Sequence, residues 1–418
     1  MSDREYIIDK VPMKSTRRIP VVLLLGASLL SASGAAPAPG EPSADVTGKI
    51  VGWRTDWTGK YPAANLVPVW GTDKNVVWKT PLTSWGNATP VITGERIFIC
   101  SEPATLVCVD RNSGEILWQQ EVVDAEGKSG KPPPSHGING YTSMTPVTDG
   151  RHVFTLSGYG TVAAFDMEGK RAWLSRLAPP KHGWGTSASP VLVEGKVIVH
   201  IPPTVTALDA ADGKTMWTAD SAGAWGTPLA VTVGKKMAVY TTGGLLLDAA
   251  EGTEIARGRA LPWTSPVCDG KRLYVADIDG AAALELPETA ATGAQMKVAW
   301  ELPVTPSRKR RHYASPVLHE GLLYAVTENG LLSVIDAATG ALVYERPLEL
   351  GGTTFPSIVL AGEHLLVSSD KGVTVVVKLG REYAETGRNT LEPFRGTPVF
   401  DGSRMYVRAL QHLYCIGQ

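Results

Sequence analysis

From about residue 75 onward the chain repeats one pattern: short alternating apolar runs broken by Gly, Asp and Asn. The stretches TSPVCDGKRLYVA from Thr264, ATPVITGERIFIC from Ala88, MTPVTDGRHVFTL from Met144 and TPVFDGSRMYVR from Thr397 share it. Each reads as a β-hairpin: a hydroxyl residue, a proline at strand entry, a tight turn and a second apolar strand. Aligned on the proline, the copies fall at Pro90, Pro146, Pro190, Pro228, Pro266, Pro316, Pro356 and Pro398, about 44 residues apart. A third strand then ends at an acidic residue, as at Asp110, Asp166, Asp209, Asp248 and Asp336, and a glycine turn leads to a fourth.

Four short strands per repeat match a propeller blade, whose two faces are buried against its neighbours. The last copy stops at Gln418 after three strands, while an unpaired fourth strand, NVVWKTPL from Asn75, precedes the first copy. Joining the two predicts an all-β, eight-bladed propeller over residues 75–418, closed by the N-terminal strand, which removes the free sheet edges. Residues 36–74 stand outside the repeat and read as an irregular strap packed on the ring. No long amphipathic helical pattern occurs.

The pattern A-x-D-[AR]-x-[ST]-G-x-x-x-W, present as CVDRNSGEILW and ALDAADGKTMW, resembles the PQQ-type propeller repeat. Quinoprotein alcohol dehydrogenases and BamB-type outer-membrane assembly proteins share that repeat. The resemblance implies structural tryptophans in the fourth strands, packed against the next blade, at Trp78, Trp118, Trp173, Trp217 and Trp300. In the dehydrogenase branch it implies pyrroloquinoline quinone, calcium and an adjacent cysteine pair. This chain has no Cys-Cys dipeptide and no calcium-loop spacing of acidic residues, so neither cofactor nor catalysis is expected. The scaffold branch implies an exported, non-catalytic protein that binds protein partners.

Charge narrows the partners further. With 40 basic against 41 acidic residues and no basic stripe, nucleic acid is not an expected ligand. Residues 1–35 carry a basic stretch, an apolar run from Ile19 to Leu30 and small residues beyond it, the pattern of a cleaved signal peptide. The apolar run falls short of the roughly 20 residues that span a bilayer, so a periplasmic or secreted monomer without membrane insertion is expected. No cysteine stands near the cleavage region to take a lipid of the bacterial lipoprotein kind. Of the four cysteines, Cys100 and Cys108 would face each other in a hairpin centred on Ala104, the geometry of a disulfide. Alternatively Cys108 and Cys415, which share a repeat position with Ala207, are small buried residues.

The segments leading into the first strands carry most of the candidate chemistry. Hydroxyls precede the proline in seven of the eight copies: Thr89, Thr145, Ser189, Thr227, Ser265, Ser315 and Thr397. Aromatics stand a few residues earlier, at Trp85, Tyr141, Trp184, Trp225, Trp263, Tyr313 and Phe394, joined by His136, Asn139, His182, Arg311 and His312. First strands line a propeller's axis, so these residues are expected to form a funnel at one mouth of the channel, suited to a peptide or a glycan. Packing of the blade tops would produce the same enrichment. The histidines lack metal-ligand spacing, and no metal site is expected.

Overall fold

The computed structural model describes residues 50–129, 131–223, 225–290, 293–303 and 311–418. The predicted export signal and the basic residues Arg308–Arg310 lie outside them. Eight antiparallel sheets follow one another along the chain, and no helix long and apolar enough to cross a membrane occurs among the described residues. Blade 1 spans residues 91–121, blade 2 147–176, blade 3 191–220, blade 4 229–257, blade 5 267–303, blade 6 317–347 and blade 7 359–390. Blade 8 combines residues 399–416 with Val76–Pro81, whose register pairs Trp78 with Cys415 and Thr80 with Leu413. Two blades carry a fifth, parallel strand: Lys60–Tyr61 beside Leu360–Ala361 in blade 7, and Ala294–Gln295, from the blade 5 insertion, beside Ala256–Arg257 in blade 4.

Neighbouring blades are tied together by tryptophans. The indole N–H groups of Trp78, Trp118, Trp173, Trp217 and Trp300 donate to the carbonyls of Arg111, Met167, Ala210, Ala249 and Ala337 in the following blade, at 2.8–3.2 Å. Each indole also lies over a turn glycine of that blade. A Cβ on Gly213, held at φ +73°, would meet the Trp173 ring at 2.5 Å, so this position needs glycine for both conformation and space. Across the ladder the tryptophans oppose small residues: Cys415, Cys108, Ala164, Ala207 and Ala283. Where the tryptophan is absent the opposite residue is larger, as with Leu246 facing Ala256 and Val376 facing Gly387. The larger residue opposite fills part of the space the indole would take, as a close-packed interior requires.

This accounts for two of the cysteines and corrects the expected disulfide. All four cysteines are free. The hairpin turns about Pro103, one residue earlier than a bridge needs, so Ser101 faces Thr105 and Cys100 faces Leu106. Cys108 faces Phe98 instead, two residues from Cys100 along the strand.

The seventh repeat also needs correction. Val359 opens its first strand, two residues after Ser357, as Val91 follows Thr89. Ile358, not Pro356, therefore holds the proline position, and blade 7 supplies the missing hydroxyl as Ser357.

The N-terminal segment does not simply pack on the outside of the ring. Val51 exchanges two backbone hydrogen bonds with Thr148 of blade 2. Arg54, fully buried, donates to the carbonyls of Pro316 in blade 6 (3.0 and 3.1 Å) and Ile358 in blade 7 (2.8 Å). Blades 2 and 6 are diametrically opposite in an eight-membered ring. Residues 51–54 therefore cross the axis and plug the channel.

Candidate functional site

Above the plug, the first-strand entries build a cup of about 340 Å³. Its lower wall is a closed ring of hydroxyls. The backbone N–H of each entry residue donates to the side-chain oxygen of the next blade's: Thr89 to Thr145 (3.0 Å), Thr145 to Ser189 (2.9 Å), Ser189 to Thr227 (3.1 Å) and Thr227 to Ser265 (2.8 Å). The circuit continues from Ser265 to Ser315 (2.9 Å), Ser315 to Ser357 (3.0 Å), Ser357 to Thr397 (3.1 Å) and Thr397 back to Thr89 (3.3 Å). The proline or Ile358 that follows moves the chain into the ladder, so the hydroxyl residue is the last one whose N–H needs a partner across the blade boundary.

Two residues before each hydroxyl stands a second ring: Asn87, Ser143, Ser187, Trp225, Trp263, Tyr313, Phe355 and Arg395, all lining the cup. It is two-faced. Trp225, Trp263, Tyr313 and Phe355, from blades 4 to 7, form an aromatic arc, with Tyr313 stacked on Phe355 (5.2 Å between centroids) and edge-on to Trp263 (6.3 Å). Arg395, Asn87, Ser143 and Ser187 form the opposite, polar arc. Arg311 extends over the Trp263 ring at 5.5 Å, and Trp53 of the plug contributes to the base.

The rim is completed by the loop before blade 2 and the loop before blade 3. His136 stacks on Trp184 with centroids 3.7 Å apart and planes 16° from parallel, and the Asn139 side-chain amide donates to the Trp184 carbonyl (2.9 Å). His182 meets Trp225 edge-on at 5.2 Å. Trp184 keeps 41% of its surface exposed. The first of these loops is anchored by a carboxylate: Glu102 accepts the N–H groups of Tyr141 and Thr142 (both 2.8 Å) and the Thr142 hydroxyl (2.5 Å). Burial raises the Glu102 pKa, and these donors oppose the rise.

Of the residues singled out in the sequence, Asn139, His182, Trp184, Trp225, Trp263, Arg311 and Tyr313 line the cup, and His136 backs Trp184 at its rim. Four do not line it. Phe394, 1% exposed, packs in the core shared by blades 7, 8 and 1. His312 is buried, and that burial pulls its pKa down to about 4. Tyr141 lies against Tyr159 (4.6 Å) and donates to the Pro133 carbonyl, while Trp85 sits outside the wall beneath the Arg395 guanidinium (6.0 Å). Phe355, Arg395, Asn87, Ser357 and Trp53 are lining residues that the sequence reading missed.

Comparison with known proteins follows the same outline. The family model described as outer membrane protein assembly factor BamB matches residues 51–203 and 202–417. A curated relative of that name, from Moranella endobia, is 22% identical over 355 residues, covering 78% of this chain and 83% of its own length. The crystal structure of BamB from Moraxella catarrhalis superposes with a TM-score of 0.62 at 16% identity, covering 82% of this chain and 99% of that one. A europium-containing methanol dehydrogenase superposes with a TM-score of 0.57 at 14% identity, covering 83% and 87%, a likeness of fold.

Proposed function

This chain belongs to the family of outer membrane protein assembly factor BamB, the PQQ-like propellers of scaffold type, and we propose that it is an exported, non-catalytic scaffold whose channel mouth docks a protein partner. The observation that carries the reading is the rim: Trp184 is held open to solvent by His136 and Asn139 rather than packed away. An exposed, rigidly mounted tryptophan beside a pocket is the usual anatomy of a binding hot spot. The family relationship supports an assembly role, outside the cytoplasm, with protein partners. A glycan is the other partner that the aromatic and hydroxyl lining suits. We read residues 1–35 as a signal peptide and residues 36–74 as the strap leading into the ring.

Quinoprotein oxidation is the alternative. Its calcium needs carboxylate oxygens, and among the described residues neither a carboxylate in the cup's lining nor a cluster of three or more His, Cys, Asp or Glu that could hold a metal occurs. The lining therefore does not fit that cofactor pair. Dye-linked turnover of alcohols or sugars after incubation with pyrroloquinoline quinone and calcium would overturn the scaffold reading.

The direct test is Trp184→Ala in cells that rely on the variant as their sole copy. Assembly of a β-barrel outer-membrane protein should fall, and affinity for the partner should weaken by about 2 kcal/mol, at an unchanged melting temperature. Normal assembly with the variant would remove the mouth from the function.

A further inference from the structure

The cup has an electrostatic character that a general docking surface does not need. Each of the eight ring hydroxyls accepts one backbone N–H, and its own O–H finds no acceptor among the described residues. All eight line one small cavity, so eight O–H donors are free to donate to a group seated in it. Two arginines line the cavity and a third lies buried outside the lining. Arg395 lines the polar arc with its Nε buried and unpartnered. Arg311 stands over the aromatic arc, and Arg54 lies under the ring, bonded to the carbonyls that follow Ser315 and Ser357. Among the described residues none of the three has an ion-pair partner. Asp56, Glu328 and Asp370 reach them only through longer-range attraction. Opposite the polar arc stand four contiguous aromatic rings.

We propose that the cup is a carboxylate site: an organic acid seats its carboxylate on the hydroxyl ring beside Arg395 and lays a flat apolar group against Trp225, Trp263, Tyr313 and Phe355. A carboxylate is the simplest group that accepts several O–H donors and a guanidinium at once, since it carries acceptors only. The volume of about 340 Å³ lies at the small end of ligand pockets and admits one such group with its immediate substituent. The source is either a free small acid or the C-terminus of a polypeptide, which share this chemistry. The inference rests on the reading that the mouth is the binding face, and it specifies what the mouth holds.

The test uses hippurate, which joins a benzoyl ring to a glycine carboxylate, and its amide, titrated into the full chain by calorimetry and tryptophan fluorescence. Hippurate should bind at least about tenfold more tightly than the amide, the size expected for a charge-assisted hydrogen bond. Arg395→Gln should cost about tenfold, and Arg395→Lys should recover part of it. Benzoyl-triglycine is the second arm: if it binds as well as hippurate the source is a chain terminus, and if only hippurate binds it is a free acid. Equal binding of acid and amide, hippurate binding unchanged in a folded Arg395→Gln, or displacement by equimolar phosphate would each overturn the proposal. Partner docking fails separately, through Trp184→Ala, so a cup that ignores hippurate while the rim still supports assembly strikes this inference alone.

Discussion

At the scale of single residues, two neighbouring groups have opposed titrations. Asp277, 2% exposed at the top of blade 5, accepts the Ile278 N–H at 2.6 Å, and burial lifts its pKa to about 6. His312, bonded to the Asp277 backbone, is pushed down to about 4, again by burial. As pH falls from about 6 to 4, native Asp277 takes up a proton that the unfolded chain does not, so it adds stability. Over nearly the same interval the unfolded chain protonates His312 while the native state does not, so stability is lost. Each effect is roughly 3 kcal/mol, and they nearly cancel. Asp277→Asn should therefore lose stability relative to the wild type between pH 6.5 and 4, and His312→Gln should gain it. Urea midpoints across that range measure both slopes, and parallel curves for all three proteins would show that neither group is strained.

Among elements, the closing strand governs cooperativity. Val76–Pro81 supplies the fourth strand of blade 8 and, through Trp78, the bond to the Arg111 carbonyl of blade 1. Deleting residues 75–82 leaves the edge of His412–Ile416 unpaired and removes the tryptophan tie between blades 8 and 1. The truncated protein should unfold broadly and aggregate, whereas a single sharp transition near the wild-type temperature would contradict closure by this strand. That strand was legible because the repeat has one strand too few at its end and one too many at its start. The eight blades were legible through proline and turn glycines, except in blade 7, where Ile358 replaces proline and the nearby Pro356 misaligns the copy by two residues. The cup was legible only in part, because what decides is one residue of offset. Trp225, Trp263 and Tyr313 stand two positions before their hydroxyls and face the axis. Phe394 and His312 stand three positions before theirs, and both are buried away from the cup, consistent with the alternation of extended backbone. Residue type alone could not separate the two cases.

For the whole molecule the decisive feature is one that no repeat could announce. Residues 51–54 turn an open channel into a blind cup, and they do so through backbone carbonyls, which carry no side-chain signature for a sequence to display. Arg54 is the fixed point. Its guanidinium spans Pro316 and Ile358, burial holds its pKa down to about 10, and the Trp53 ring lies 5.2 Å from it. Arg54→Met keeps length and apolar volume but leaves two buried carbonyls without donors, at a cost of about 1–3 kcal/mol for each unpaired group. Relief of the charge's own desolvation offsets part of that, so a net loss of about 2 kcal/mol is expected. The loss should also be local first. Because the eight blades keep their own ladders and five of the blade junctions keep their tryptophan ties, the segment should release before the ring melts. Limited proteolysis should then cut Arg54→Met between residues 50 and 60 under conditions where the wild type resists, with blade 1 to blade 8 remaining as one resistant core. Equal resistance of the two proteins would mean that Val51 and the parallel Lys60–Tyr61 strand hold the plug without the arginine.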